Sequence, residues 1–96
     1  MRVQRGLMGA IWARLGEFGF VKIMDGHDEG HDDSGLRVLV GYGCGSIRVR
    51  LQRPSTVVSG QWVQLIAVDI SEPGKMHARL HEIALATHNH IKTLER

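Results

Sequence analysis

The sequence predicts an all-β domain, a small five-stranded Greek-key barrel ending in a short C-terminal helix or tail. Three observations lead there. Apolar and charged residues alternate over Ile47-Arg48-Val49-Arg50-Leu51, the period of a strand with one buried face. Glycine is abundant, 12 of 96 residues, and punctuates the apolar stretches as short strands joined by tight turns require. The length suffices for one modest core and not for two.

The elements follow in order. Leu7 to Leu15 is expected to form the first strand, with Gly9 admitting a bend or bulge. Residues 16–19 make a turn, and Phe20 to Met24 forms the second strand, with Phe20, Lys22 and Met24 on one face and Val21 and Ile23 on the other. Residues 25–35, DGHDEGHDDSG, lack apolar anchors and read as an exposed, mobile, acidic hairpin loop. Leu36 to Val40 begins a third strand that bends at Gly41, Gly43 and Gly45 around Tyr42 and Cys44, then resumes at Ile47 to Leu51. Arg53-Pro54-Ser55-Thr56 leaves the sheet, because proline cannot donate to an interior ladder.

Gln61 to Ile70 is the fourth strand, with Trp62, Gln64, Ile66 and Val68 on one side. A turn at Glu72-Pro73-Gly74-Lys75 precedes a fifth strand near Met76 to Ile83, and residues 84–96 form the helix or tail. Five strands with one long bent strand in the middle make a barrel of the oligonucleotide-binding type. Residues 1–96 are expected to form a single such domain, without repeat or linker.

Charge narrows the functional classes. The formal net charge is +2, but five of the ten acids (Asp25, Asp28, Glu29, Asp32, Asp33) lie in one short stretch. The rest of the chain carries 12 basic and 5 acidic residues, a net of +7. A basic body with one acidic protrusion favours a polyanionic partner, the acidic loop turned away or serving as a selectivity element. Cys44 is the only cysteine, so no intrachain disulfide forms and a reducing, cytoplasmic setting is expected. No apolar run approaches the ~20 residues that span a bilayer, so no membrane partner is expected.

Alternation places Arg48 and Arg50 together on the face opposite Ile47, Val49 and Leu51, where they suit a phosphate backbone or, equally simply, a solvated sheet face. Lys22, Arg37 and Arg53 lie on nearby strands and join them as expected nucleic-acid contacts. Tyr42, between glycines, is either a platform for a stacking base or a turn residue packed on the barrel rim. Trp12, Trp62 and Phe20 fit core or barrel-end positions, while Phe18, in a turn, could stack in the open.

No enzyme is expected. Cys44 has no local nucleophile motif, and no phosphate-binding glycine loop occurs. His27 and His31 sit in a glycine-rich loop that fixes no ligand set, and a calcium-loop register starting at Asp25 puts Leu36 where the terminal Glu belongs. His77 and His81 stand four apart without a third partner, and His88 and His90 read as solvated. No metal or other cofactor is expected.

Short motifs give the chain a resemblance. Leu7-Met8-Gly9-Ala10-Ile11 leads to Leu15-Gly16; Phe20 to Met24 ends in Asp25-Gly26; Leu36-Arg37-Val38, Ile47-Arg48-Val49-Arg50 and Ser59-Gly60-Gln61-Trp62-Val63 follow. In that order they resemble the translation initiation factor 1A family and its shorter bacterial counterpart. That resemblance implies an oligonucleotide-binding barrel that contacts ribosomal RNA on the small ribosomal subunit through basic residues.

Gly45 to Leu51 followed by Ser59 to Leu65 also looks like the smallest subunit of replication protein A and related small barrel subunits. The alternative this implies is a structural subunit of a single-stranded-DNA complex, partnered by a larger protein through Trp62 or residues 84–96.

Overall fold

The computed structural model describes residues 2–23, 28–43 and 45–94, and within residues 2–5 the backbone only. Helix α1 (Arg2–Glu17) leads into five strands: β1 (Val21–Lys22), β2 (Glu29–His31), β3 (Arg37–Gly43), β4 (Ser46–Pro54) and β5 (Trp62–Ile70). A single 3₁₀ turn at Pro73–Lys75 then runs into helix α2 (Met76–Leu94). The strands pair antiparallel in sequence order, β1-β2-β3-β4-β5. This is an open meander with β1 and β5 at its edges, neither a Greek key nor a closed barrel.

The all-β expectation is therefore corrected to a mixed α/β domain, a five-stranded antiparallel sheet with helices on one face. The segments expected as the first and fifth strands are helices. In α1, Leu7, Ile11 and Leu15 are buried at a spacing of four, the stripe of an amphipathic helix. Its end is fixed by a two-bond cap: Phe20 N–H donates to the Leu15 carbonyl (3.0 Å) and Gly19 N–H to that of Gly16 (3.1 Å). Gly19 sits at φ +98°, the left-handed position that such a cap requires and glycine fills without strain.

In α2, Met76, Leu80, Ile83 and Thr87 are buried at spacings of four, three and four, and the Thr87 hydroxyl is spent on the Ile83 carbonyl at 2.8 Å. Residues 84–94, expected as a separate short helix or tail, are the second half of this helix.

The strand count is still five, because two other segments became strands. The bent third strand is two strands, β3 and β4, joined in register by a tight hairpin in which Gly43 faces Ser46. The acidic segment supplies β2, which pairs with β1 and β3. Its far end is a built turn: the Asp32 carboxylate accepts from Leu36 N–H (2.8 Å), Ser34 N–H (3.1 Å) and the Ser34 hydroxyl (2.7 Å). Residues 28–35 thus form a paired strand and a hydrogen-bonded turn rather than loop throughout, while residues 25–27 of the expected hairpin loop lie outside the described residues.

One core lies between the sheet and the two helices. Leu7, Ile11, Leu15 and Phe20 meet Val38, Val40, Ile47, Val49, Leu51, Val68 and Ile70 from the strands, and Met76, Leu80 and Ile83 from α2. Trp12 packs against it half-buried, over β2. A Cβ on Gly30 would lie 2.7 Å from the Trp12 ring and 3.2 Å from the Val21 carbonyl oxygen, so this strand position admits only glycine without movement. No described helix is long and apolar enough to cross a membrane.

Candidate nucleic-acid interface on the open sheet face

Helices cover one face of the sheet and leave the other open. Residues opposite one another in an antiparallel pair share a face, so the register builds this surface directly. Glu29 and His31 of β2 stand beside Leu39 and Arg37 of β3. Arg37, Leu39 and Gly41 face Gln52, Arg50 and Arg48 of β4. Arg48, Arg50, Gln52 and Pro54 in turn face Asp69, Ala67, Gln64 and Trp62 of β5. The count is kept by a bulge at Leu51/Gln52, where β5 carries Leu65 as an extra residue.

Two polar clusters organise the face. At one end the Arg37 guanidinium lies 4.1 Å from the centre of the Trp62 ring, a stacking that arginine favours. Its Nε donates to the Gln52 side-chain carbonyl at 2.8 Å and its terminal nitrogen is 3.7 Å from the Glu29 carboxylate. His31 Nε2 is 2.6 Å from that same carboxylate, and its ring meets Trp62 edge-on at 6.0 Å.

At the other end Arg48 holds Asp69 by two bonds, at 2.9 and 3.3 Å. The hydrogen bond from Arg48 and its positive charge hold the Asp69 carboxyl below its ordinary value, helped by the charge of Arg79. The reciprocal bond raises the arginine. Both side chains are about half exposed, so water and salt weaken the pair.

Between the clusters stands Arg50, exposed and without an ion-pair partner among the described residues. A shallow groove of about 380 Å³ opens here, lined by Leu39, Ser46, Arg48, Arg50 and Asp69 together with the β3–β4 hairpin from Val40 to Gly43. Tyr42, 57% exposed, adjoins the groove from the hairpin, but it pairs with buried Ile47, so its side chain takes the helix-side phase of β3.

Of the six residues expected to contact nucleic acid, Arg48 and Arg50 share this groove, Arg37 lies on the same face beside Trp62, and Tyr42 adjoins the groove with its side chain in the opposite phase. The other two are elsewhere. Lys22 pairs with Gly30 and turns to the helix side, 5.5 Å from the Trp12 ring and 3.7 Å from Asp28. Arg53 faces Val63, one position out of phase with the open face, and donates to the Pro54 carbonyl at 3.1 Å.

Sequence reasoning missed Asp69, because the Arg48 counter-charge becomes visible only once the β4–β5 register is known. It also took Trp62 for a core or barrel-end residue. Trp62 is half-buried, but on the open face under Arg37 rather than in the core.

His77 and His81 are exposed one turn apart on α2. No group of three or more His, Cys, Asp or Glu able to hold a metal occurs among the described residues. His27 and Cys44 lie outside them. Compared with protein-family models, curated proteins and solved structures, the chain finds no match in any of the three.

Proposed function

We propose that the protein is a binding module that holds single-stranded RNA on the open face of its sheet. The observation that carries the reading is the groove at the β3–β4 hairpin, where Arg48, Arg50 and Ser46 meet beside Leu39. Arg50, with no acid to neutralise it among the described residues, takes a phosphate directly. Arg48 takes one by exchanging Asp69 for it, so that Asp69 sets a threshold that weakly charged ligands do not cross. Leu39, on the same face, offers a base apolar surface beside the two arginines. Recognition then comes from the spacing of phosphates and from apolar contact with unpaired bases, which single-stranded RNA leaves exposed.

The resemblance to the initiation factor 1A family makes ribosomal RNA of the small subunit one such target. The reading rests on the groove and not on a barrel, which the described strands do not close.

Fluorescence anisotropy with a labelled single-stranded RNA, titrated across a salt series, tests it. Replacing Arg48 and Arg50 together by alanine is expected to weaken binding at low salt and flatten the logarithmic salt slope by up to about 1.4, at roughly 0.7 per phosphate on single strands. Unchanged affinity and slope in that double variant would remove the groove from the reading. Single-stranded DNA in the same assay separates the alternative: tighter binding to DNA than to RNA moves the proposed partner to a single-stranded-DNA complex.

A further inference from the structure

We infer that β5 is a self-pairing edge, through which two copies of this chain join antiparallel into one continuous ten-stranded sheet. The inference stands apart from the RNA reading, because it uses the margin of the sheet and not the groove.

A sheet edge exposes a row of backbone donors and acceptors, and proteins that stay monomeric blunt such edges with short strands, charges or proline. The two edges here differ. β1 is only two residues long, whereas β5 runs for nine, WVQLIAVDI. Among the described residues, the backbone of β5 bonds to β4 and to no other element. It holds no proline, and its one charge, Asp69, is neutralised within the chain by Arg48. Two of its apolar side chains, Val63 and Leu65, are more than a third exposed.

The occupant that fits is a second β5. Side-chain rows continue across a two-fold axis only if open-face residues meet open-face residues, and a slip of one position reverses every match. On β5 the open-face positions are 62, 64, 67 and 69, the bulge having shifted the phase at Leu65. A pairing in which the two residue numbers add to 131 satisfies the condition throughout. Trp62 then meets the second copy's Asp69, Val63 meets its Val68, Gln64 meets its Ala67, and Leu65 meets its Ile66.

Charge agrees with this register. Each Asp69 comes to lie beside the other copy's Trp62, whose ring already carries Arg37 at 4.1 Å. The symmetry makes that contact twice, as an isologous interface must.

The test is the mass of the intact chain in solution, by sedimentation velocity or light scattering over a dilution series up to about 100 µM. The 10.7 kDa chain is expected to run at twice its mass, dissociating on dilution. Leu65→Lys, which puts a charge at the centre of the pair from a partly exposed position, is expected to run as a monomer with the wild-type circular dichroism spectrum.

A second experiment reads the register independently of that variant. In a Cys44→Ser background, oxidising a mixture of Gln64→Cys and Ala67→Cys is expected to cross-link one variant to the other, and neither to itself. A wild-type chain that stays monomeric throughout the series overturns the inference, and so does a dimer that a folded Leu65→Lys leaves intact. A dimer whose cross-links form within each variant instead of between them overturns the register.

Discussion

The two faces of β4 are built from alternate residues of one strand, yet they obey different rules. Ile47, Val49 and Leu51 have no solvent exposure and sit in one cluster with both helices. Arg48, Arg50 and Gln52 alternate with them in sequence and stand on the opposite side, where no described element covers them. On the covered face, packing decides everything: the side chains belong to one cluster drawn from the sheet and both helices, and shape leaves little freedom. On the open face, partners are polar, few and exchangeable. A chain that covers only one side of its sheet commits that side to stability and leaves the other for binding.

The comparison breaks most sharply by truncating adjacent residues. Leu51→Ala removes a fully buried side chain between sheet and helices and is expected to cost 2–5 kcal/mol, read from the urea midpoint at unchanged slope. Arg50→Ala, one residue away, is expected to stay within about 0.5 kcal/mol. Equal losses would mean that the open face is covered in solution.

Gly30→Ala probes the covered face from the opposite direction, by adding volume where the Trp12 ring leaves none. Overpacking of this kind costs ~1–3 kcal/mol. The same substitution at Gly41, on the open face where a Cβ meets nothing within 4 Å, should be far milder. A silent Gly30→Ala would show that β2 and α1 separate easily.

The sequence made these faces legible only where a strand alternates cleanly. Ile47 to Leu51 did, and Arg48 and Arg50 fell on the expected side. The bounds of β5 matched the expected Gln61–Ile70 within a residue, but its expected face did not: the bulge puts Ile66 and Val68 on the side opposite Trp62 and Gln64. The helices were misread because their apolar residues fit two periods at once. Around Leu7, Ile11 and Leu15 lie Met8, Ala10 and Trp12, which fill in the helical stripe until it also passes for a strand. The decisive signal was the cap, Leu15 with Gly19 and Phe20, which the strand reading took for a turn.

β2 was illegible for the reverse reason. Glu-Gly-His has no apolar residue, and it becomes a strand because its backbone is paired on both sides and its glycine admits Trp12. Lys22 and Arg53 were placed in the site because basic charge can be counted from sequence, whereas the face it lands on depends on a neighbour's register.

The finest test concerns the Arg48–Asp69 pair, an open-face contact with no counterpart in the core. Asp69 is held below the ordinary aspartate value in the folded chain, first by the hydrogen bond from Arg48. The sign follows from linkage: a carboxyl whose pKa is lower when folded contributes stability above its unfolded value of ~3.9, and loses it as the pH falls through the folded one. Asp69→Asn lacks that contribution at every pH.

The urea midpoint of the wild type should therefore exceed that of Asp69→Asn slightly near neutrality, and the gap should close on acidification below the aspartate range. Added salt should narrow it too, because the pair is exposed. At neutral pH the same variant frees Arg48, so its affinity for single-stranded RNA should rise while its stability falls. A variant that lost both would assign Asp69 to the binding surface itself, and the open face would then be pre-shaped by its own ion pair in the way the covered face is shaped by packing.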